Sequence, residues 1–565
     1  LPELMSQQRV RWVREIGSKR RLAGMSAAAV LAALVVACGD GNGNNARLQQ
    51  ADCAKPISVM QGELTGVRDS QAACVYRGVP FAAPPVGDNR FAPPQPARTW
   101  PGVRQANGYG PICPQELAAL ELFETPGFGG EDCLVLNVWR PRNHPQQPKP
   151  VMVFVHGGAF TLGAGSWPQY RGLGLAERGV VVVTINYRLG PFGFLALQSL
   201  AEEGDGAVGN YGLLDQIAAL EWVRDNIAAF GGDPENVTVF GESAGGMSVC
   251  SLMAAPAARG LFDRAIIESG GCAAVSTLPQ GFENGQRFAA SVGCDQEDGT
   301  AQLDCLRALD AETILARATI DALADGFQPH VDGEVLPDVP QTMVAAGEAA
   351  QVPLIAGSNQ DEVLPAVLAN PQLAAWRTAP WMDFSKRLES VFGASDGAQL
   401  AALYGPQQYA NPMAAWSALQ SDLMLTCPSH ETARLQGRAG APAYHYWFGW
   451  DEGPIASRLG AFHGWELAFV FGAFEAWPGF FGDEAAAARR LSGLMQRYWT
   501  RFARTGNPNG GEDPHWPFVE EGTLLLDRET RRLDSFRGDV CDFWRSRTPL
   551  GLDGQSATLF ALGAP

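Results

Sequence analysis

The sequence predicts an α/β protein: a mainly parallel sheet covered by helices on both faces. Three observations predict it. From about residue 150 short continuous apolar runs alternate with segments of helical period; the runs lack polar alternation, as strands buried on both faces do; and one of them opens directly into a Gly-x-Ser-x-Gly turn followed by a helical stretch.

The elements follow in chain order. Val151-Met152-Val153-Phe154-Val155, after a Pro-rich loop, is the first strand of this series, and 180–185 is the second. Leu213, Ile217, Leu220, Val223 and Ile227 recur at spacings of four, three, three and four, one face of an amphipathic helix, which Gly231 and Gly232 stop. Val237-Thr238-Val239-Phe240 is the next strand, with a helical stretch from the Ser turn to Ala255; Ala265-Ile266-Ile267 and 352–356 add two more strands. The alternation argues for a single catalytic domain over 53–565.

Composition sets limits on function. The 565 residues are 46% hydrophobic and 18% charged, which suits a large buried core and excludes a disordered chain. The formal net charge is −18; residues 1–37 carry six Lys/Arg and two Glu, a net +4, so the remainder stands at −22. That balance repels phosphate backbones and argues against nucleic-acid binding.

The first 52 residues read as an address. Arg9, Arg11, Arg14, Lys19, Arg20 and Arg21 precede an apolar run over 27–37 that is too short to span a bilayer, so 1–37 is expected to be an export signal. Its end, Leu34-Val35-Val36-Ala37-Cys38, resembles a bacterial lipoprotein box, which implies lipidation of Cys38; the Gly/Asn-rich 38–52 then serves as a flexible tether. Membrane contact is expected through that anchor alone, in the periplasm or cell envelope; the alternative is an ordinary signal peptide cleaved elsewhere and a secreted chain. Eleven cysteines, less Cys38, leave an even ten, as suits an oxidising compartment.

In Gly241-Glu242-Ser243-Ala244-Gly245 the serine lies between strand and helix in a turn too tight for bulk two residues to either side, the geometry that projects a nucleophilic hydroxyl. With 65 glycines in the chain the bare pattern proves little; its context discriminates. An earlier strand ends in Val155-His156-Gly157-Gly158-Ala159-Phe160, where the substrate can approach backbone N–H groups closely. The amides of Gly158, Ala159 and Ala244 are the candidate donors to a developing oxyanion. His156 precedes the serine and is rejected as base on chain order.

Gly241 to Gly246, together with Gly130-Glu131-Asp132-Cys133-Leu134-Val135-Leu136-Asn137-Val138, resembles the two signatures of the type-B carboxylesterase family, and residues 155–166 are most similar to its bacterial para-nitrobenzyl esterases. Residues 76–85, Asn186-Tyr187-Arg188 and Gly209-Asn210-Tyr211-Gly212-Leu213-Leu214-Asp215-Gln216 match as well, so the resemblance extends over 59–544. It implies an α/β-hydrolase fold, with long insertions forming a gorge or lid, and a serine esterase acting through an acyl-enzyme on small-molecule esters. It implies His463, in Gly460-Ala461-Phe462-His463-Gly464-Trp465-Glu466, as base and Glu362, in Gly357-Ser358-Asn359-Gln360-Asp361-Glu362, as acid, with Asp361 the fallback. The order Ser243, Glu362, His463 agrees with that topology. Glu242, Ser269 and Glu466 match positions that hydrogen-bond around such a triad.

The family pairing further implies Cys113–Cys133, Cys294–Cys305 and Cys427–Cys541, with Cys53–Cys74 as an extra bridge. Cys250 and Cys272 read rather as buried thiols, a fifth bond between them staying open. The segment between Cys113 and Cys133 has no Trp, so choline selectivity is not expected. Trp447, Trp465, Phe469, Phe471, Trp477, Phe480 and Phe481 either line a pocket or belong to the core, the more frequent fate at this density. No histidine pair has metal-ligand spacing, and no metal or cofactor is expected; no oligomeric state follows. An amidase or peptidase, or a lipase or polyester hydrolase, remain alternatives on the same fold; an adhesion module is disfavoured by the intact triad, and a dehalogenase would need Asp at 243.

Overall fold

The computed structural model describes residues 52–115, 129–142, 147–204, 207–318 and 326–547. The export signal, Cys38 and nearly all of the tether lie outside the described residues.

Eleven strands form the main sheet: β1 (Val67–Arg68), β2 (Ala73–Pro80), β3 (Val135–Pro141), β4 (Lys149–Val155), β5 (Val181–Ile185), β6 (Gly232–Glu242), β7 (Arg264–Glu268), β8 (Leu354–Asn359), β9 (Ala443–Phe448), β10 (Thr523–Leu526) and β11 (Arg531–Leu533). Their spatial order is β11-β10-β9-β8-β7-β6-β4-β5-β3-β2-β1. Six of the ten neighbouring pairs, from β10 to β5, are parallel, and the four at the two edges are antiparallel. The sheet is therefore mixed, with a parallel centre.

The centre is parallel because each strand feeds a helix that crosses back over the sheet. Alternate side chains of the strands enter two separate cores. Val151, Val153, Val155, Val183, Val239 and Ile267 face one, packed against helix α1 (Tyr211–Asn226) and helix α2 (Ala244–Ala254) through Leu213, Leu220, Val249 and Leu252. Met152, Phe154, Val182, Phe240 and Ile266 face the other, under helix α3 (Leu467–Phe471) and helix α4 (Ala485–Thr505). At about 25 cal/mol per Å² of apolar surface, this two-sided burial is the main stabilising term. A third core, with Val367, Trp376, Phe384, Leu400 and Trp416, belongs to a helical insertion that starts directly after Glu362 and also holds Phe543 and Trp544.

Five disulfides staple the described residues: Cys53–Cys74, Cys113–Cys133, Cys250–Cys272, Cys294–Cys305 and Cys427–Cys541. The third overturns the reading of Cys250 and Cys272 as thiols. Cys250 lies on α2 and Cys272 on the loop after β7, and the packing of that helix against its neighbouring strand brings their Cα atoms to 5.0 Å, within bonding reach. Such a set fits an oxidising compartment. Among the described residues no helix is long and apolar enough to cross a membrane.

Candidate active site

Ser243 sits between β6 and α2 with φ 58° and ψ −125°, a conformation that non-glycine residues rarely adopt. Its neighbours explain why the turn closes. A Cβ on Gly241 would come within 2.4 Å of the Gly245 carbonyl oxygen, and one on Gly245 within 2.0 Å of the Val155 carbonyl oxygen. Only hydrogen fits at either place, so the strand can turn sharply into the helix beside β4. The Ser243 amide donates to the Glu268 carbonyl at 2.9 Å, tying the turn to β7.

Ser243, Glu362 and His463 line one cavity of about 530 Å³ with Gly158, Ala159, Glu242 and Ala244. Glu362 lies three residues beyond β8. Its Oε1 accepts from the Asn359 amide at 2.7 Å, and its Oε2 lies 2.7 Å from Nδ1 of His463. Nε2 of His463 lies 3.2 Å from Oε1 of Glu242, while the Ser243 hydroxyl makes no hydrogen bond among the described residues. Ala159 and Phe160 both have positive φ, 54° and 59°, which folds the loop after β4 into a tight curve. The amides of Gly158, Ala159 and Ala244 likewise make no hydrogen bond among the described residues and are free to take an external acceptor.

The electrostatics are dominated by buried carboxylates. Burial raises Glu242 to about 7, with His463 opposing and Glu362 adding to the rise. Burial raises Glu268 to about 8, and raises Glu466 well above the usual range with help from Glu242, Glu268 and Glu362. Burial alone would depress His463, but Glu242 and Glu362 outweigh it and lift the imidazole to about 10. His156, by contrast, is pushed down to about 4 by burial and bonds the Gly157 carbonyl.

The remaining candidates fall into place around this centre. Glu466 accepts from the Asn359 side chain, which also donates to the Phe462 carbonyl at 2.7 Å. The hydroxyl of Ser269 is buried without a partner; its backbone amide donates to the Gly357 carbonyl at 2.8 Å instead. Asp361 accepts from the Ala461 amide, and it is Glu362 that pairs with His463. Of the seven aromatics near His463, only Trp477 lines the cavity; Trp465, Phe469, Phe471 and Phe481 are buried in the second core, because α3 turns its bulky side chains onto the sheet. The cavity walls come from elsewhere, with Phe160, Leu162, Trp167, Met247, Met424 and Phe462. Sequence reasoning gave no role to Asn359 or to Glu268, whose Oε1 accepts from the Trp499 indole at 2.7 Å. Asn359 stands in the acid segment three residues before Glu362, and that place was its signal.

The model of the carboxylesterase family matches residues 54–544. The chain belongs to the carboxylesterase family. This esterase is 40% identical over 491 residues to the para-nitrobenzyl esterase of Bacillus subtilis (strain 168), covering 85% of this chain and 94% of that one. It is 36% identical over 541 residues to the human cocaine esterase, covering 89% and 93% of the two chains. Among solved structures, a thermophilic PNB esterase superposes with a TM-score of 0.75 at 37% identity, covering 87% of this carboxylesterase and 100% of that chain. The fold is that of the α/β-hydrolases, and the activity is carboxylic ester hydrolysis.

Proposed function

We propose that this carboxylesterase works through Ser243 as nucleophile, His463 as general base and then acid, and Glu362 as the carboxylate that orients the imidazole. The observation that carries the reading is the 2.7 Å contact between Nδ1 of His463 and Oε2 of Glu362 in the cavity that also exposes Ser243. Glu362 holds Nδ1 protonated and leaves Nε2 as the proton acceptor. Nε2 takes the Ser243 proton as Oγ attacks the ester carbonyl; the carbonyl oxygen gains charge and is met by the amides of Gly158, Ala159 and Ala244. Collapse of the tetrahedral species expels the alcohol, which receives the proton from Nε2, and leaves an acyl-serine. Water, deprotonated by the same nitrogen, then releases the acid and restores Ser243. The apolar walls favour esters with hydrocarbon acyl or alcohol parts over peptides, whose amides would go unsatisfied there.

Residues 53–565 act as one catalytic domain. The finer address is a proposal too: export of the chain, with a lipid on Cys38 and a short tether from residue 38 to 52, holds the enzyme at the cell envelope. Mass spectrometry of the mature N-terminal peptide should find acylated Cys38; an unmodified terminus elsewhere removes the anchor. For the reaction, Ser243→Ala should abolish hydrolysis of short p-nitrophenyl esters with an unchanged circular dichroism spectrum, and retention of most activity in that variant overturns the assignment.

A further inference from the structure

We propose that Asp361 is a positioning residue for His463, latching the base-bearing loop 460–464 onto the acid-bearing loop 359–362. The inference rests on the triad reading above. Two reciprocal bonds make the latch: the Asp361 amide donates to the Ala461 carbonyl at 3.0 Å, and the Ala461 amide donates back to Oδ2 of Asp361 at 3.1 Å. The space for that carboxylate exists because residue 460 is glycine. At Gly460, φ is +70°, and a Cβ there would stand 2.4 Å from Oδ2 and 2.5 Å from Cγ of Asp361.

The latch is the first of three consecutive ties along the base-bearing loop. Residue 462 is held by the Asn359 side chain at 2.7 Å, and the His463 amide donates to the Glu362 carbonyl at 3.1 Å. Residues 461, 462 and 463 are thus each fixed by a residue of the acid loop, and the two side chains that make the ties at 461 and 462, Asp361 and Asn359, both stand outside the cavity lining. Asp361 therefore cannot alter substrate contact directly. Its loss lets the imidazole drift from the serine, and misplacements of about 1 Å cost on the order of a hundredfold in rate when complete.

The carboxylate is also set to respond to pH. Burial raises it to about 6, the Ala461 amide opposes the rise, and Asp451 and Glu362 add to it; the Tyr409 hydroxyl is the other titratable group that feels its charge. An ionised carboxylate is the stronger acceptor, so the latch loosens as pH falls through about 6.

The test compares the full-length parent with Asp361→Ala and Asp361→Asn, measuring kcat and KM on p-nitrophenyl butyrate from about pH 5 to 9. A fluorophosphonate titration run alongside counts reactive Ser243. In Asp361→Ala, kcat should fall about tenfold with KM within about twofold, while Ser243 still labels fully. Asp361→Asn keeps an acceptor oxygen that does not titrate; it should restore most of kcat at pH 8, and the ratio of its kcat to the parent's, in which the titration of His463 common to both cancels, should rise as pH falls through about 6. Parental kcat in the Ala variant, a KM rise matching the kcat loss, or an Asn-to-parent kcat ratio that stays constant from pH 8 to pH 5 overturns the proposal. If the Ala variant does not fold, that ratio in the Asn variant decides alone. Absence of label on Ser243 in the parent itself signals instead that the triad reading has failed.

Discussion

Glu242→Gln removes one of the two carboxylates facing His463 without changing the shape of the site, and its effect can be sized from the geometry. Oε1 of Glu242 lies 3.2 Å from Nε2 of His463. Two unit charges at that distance interact by about 5 kcal/mol at an effective dielectric constant of about 20. The His463 side chain is 34% exposed, so solvent screens the pair. Glu242, raised to about 7, is ionised where an imidazole lifted to about 10 titrates, so it is the screening that reduces the interaction. A shift of about one pH unit, roughly 1.4 kcal/mol, is what remains. The sign follows from the reaction: the base works deprotonated, and an anion beside it raises its pKa, so removal of the anion lowers it. The acid limb of kcat/KM, which reports the free enzyme, should move down by about one unit in Glu242→Gln, read on p-nitrophenyl acetate. A limb that stays in place or moves up would refute the claim that Glu242 sets the proton affinity of His463.

Three further outcomes follow from the packing and the buried charges. The double variant Cys250→Ala/Cys272→Ala opens a loop of sequence separation 22 between α2 and the strand β7 loop and should lower unfolding stability by about 3 kcal/mol in a denaturant titration; equal midpoints for parent and variant contradict a native bond there. Glu268 has a folded-state pKa raised to about 8 by burial, so the native state binds the extra proton between the unfolded value and 8, and that contribution to stability is lost as pH rises across this window. Glu268→Gln should therefore raise the free energy of unfolding at pH 8 by about 1–3 kcal/mol, read in denaturant titrations, with the gain shrinking toward pH 5; a gain independent of pH counts against a buried charged carboxylate. Glu362→Gln should lower kcat by about 10³–10⁴ with a modest change in KM, since it removes the group that fixes the imidazole tautomer, and a loss under tenfold would contradict that role.

Much of the fold was legible because the central strands are buried on both faces. Val151 to Val155 and the run ending at Ile185 need no alternation when one core lies above and another below. The 352–356 expectation misjudged β8, which spans Leu354–Asn359. Pro353 lacks an amide hydrogen, which delays the start, and Ser358 and Asn359 stay in register with Trp447 and Phe448 although they are polar. The antiparallel β2 and β3 escaped notice because Arg77, Asn137 and Arg140 interrupt their hydrophobicity; Asn137 is buried only because its side chain serves the Gly78 amide and Thr184. Ser243 could be found locally, since its turn is set by residues two positions away. The 101-residue separation of Glu362 and His463 is closed by the pairing of β8 with β9, which no local pattern encodes, and family resemblance carried that step. The same limit applies to Cys250 and Cys272, whose proximity depends on how α2 lies on the sheet.

The most direct trial of the whole account is covalent: a fluorophosphonate should attach once per chain, and peptide mapping should place it on Ser243, with labelling lost in Ser243→Ala. Folded protein that takes no label there, or takes it on another residue, contradicts the mechanism.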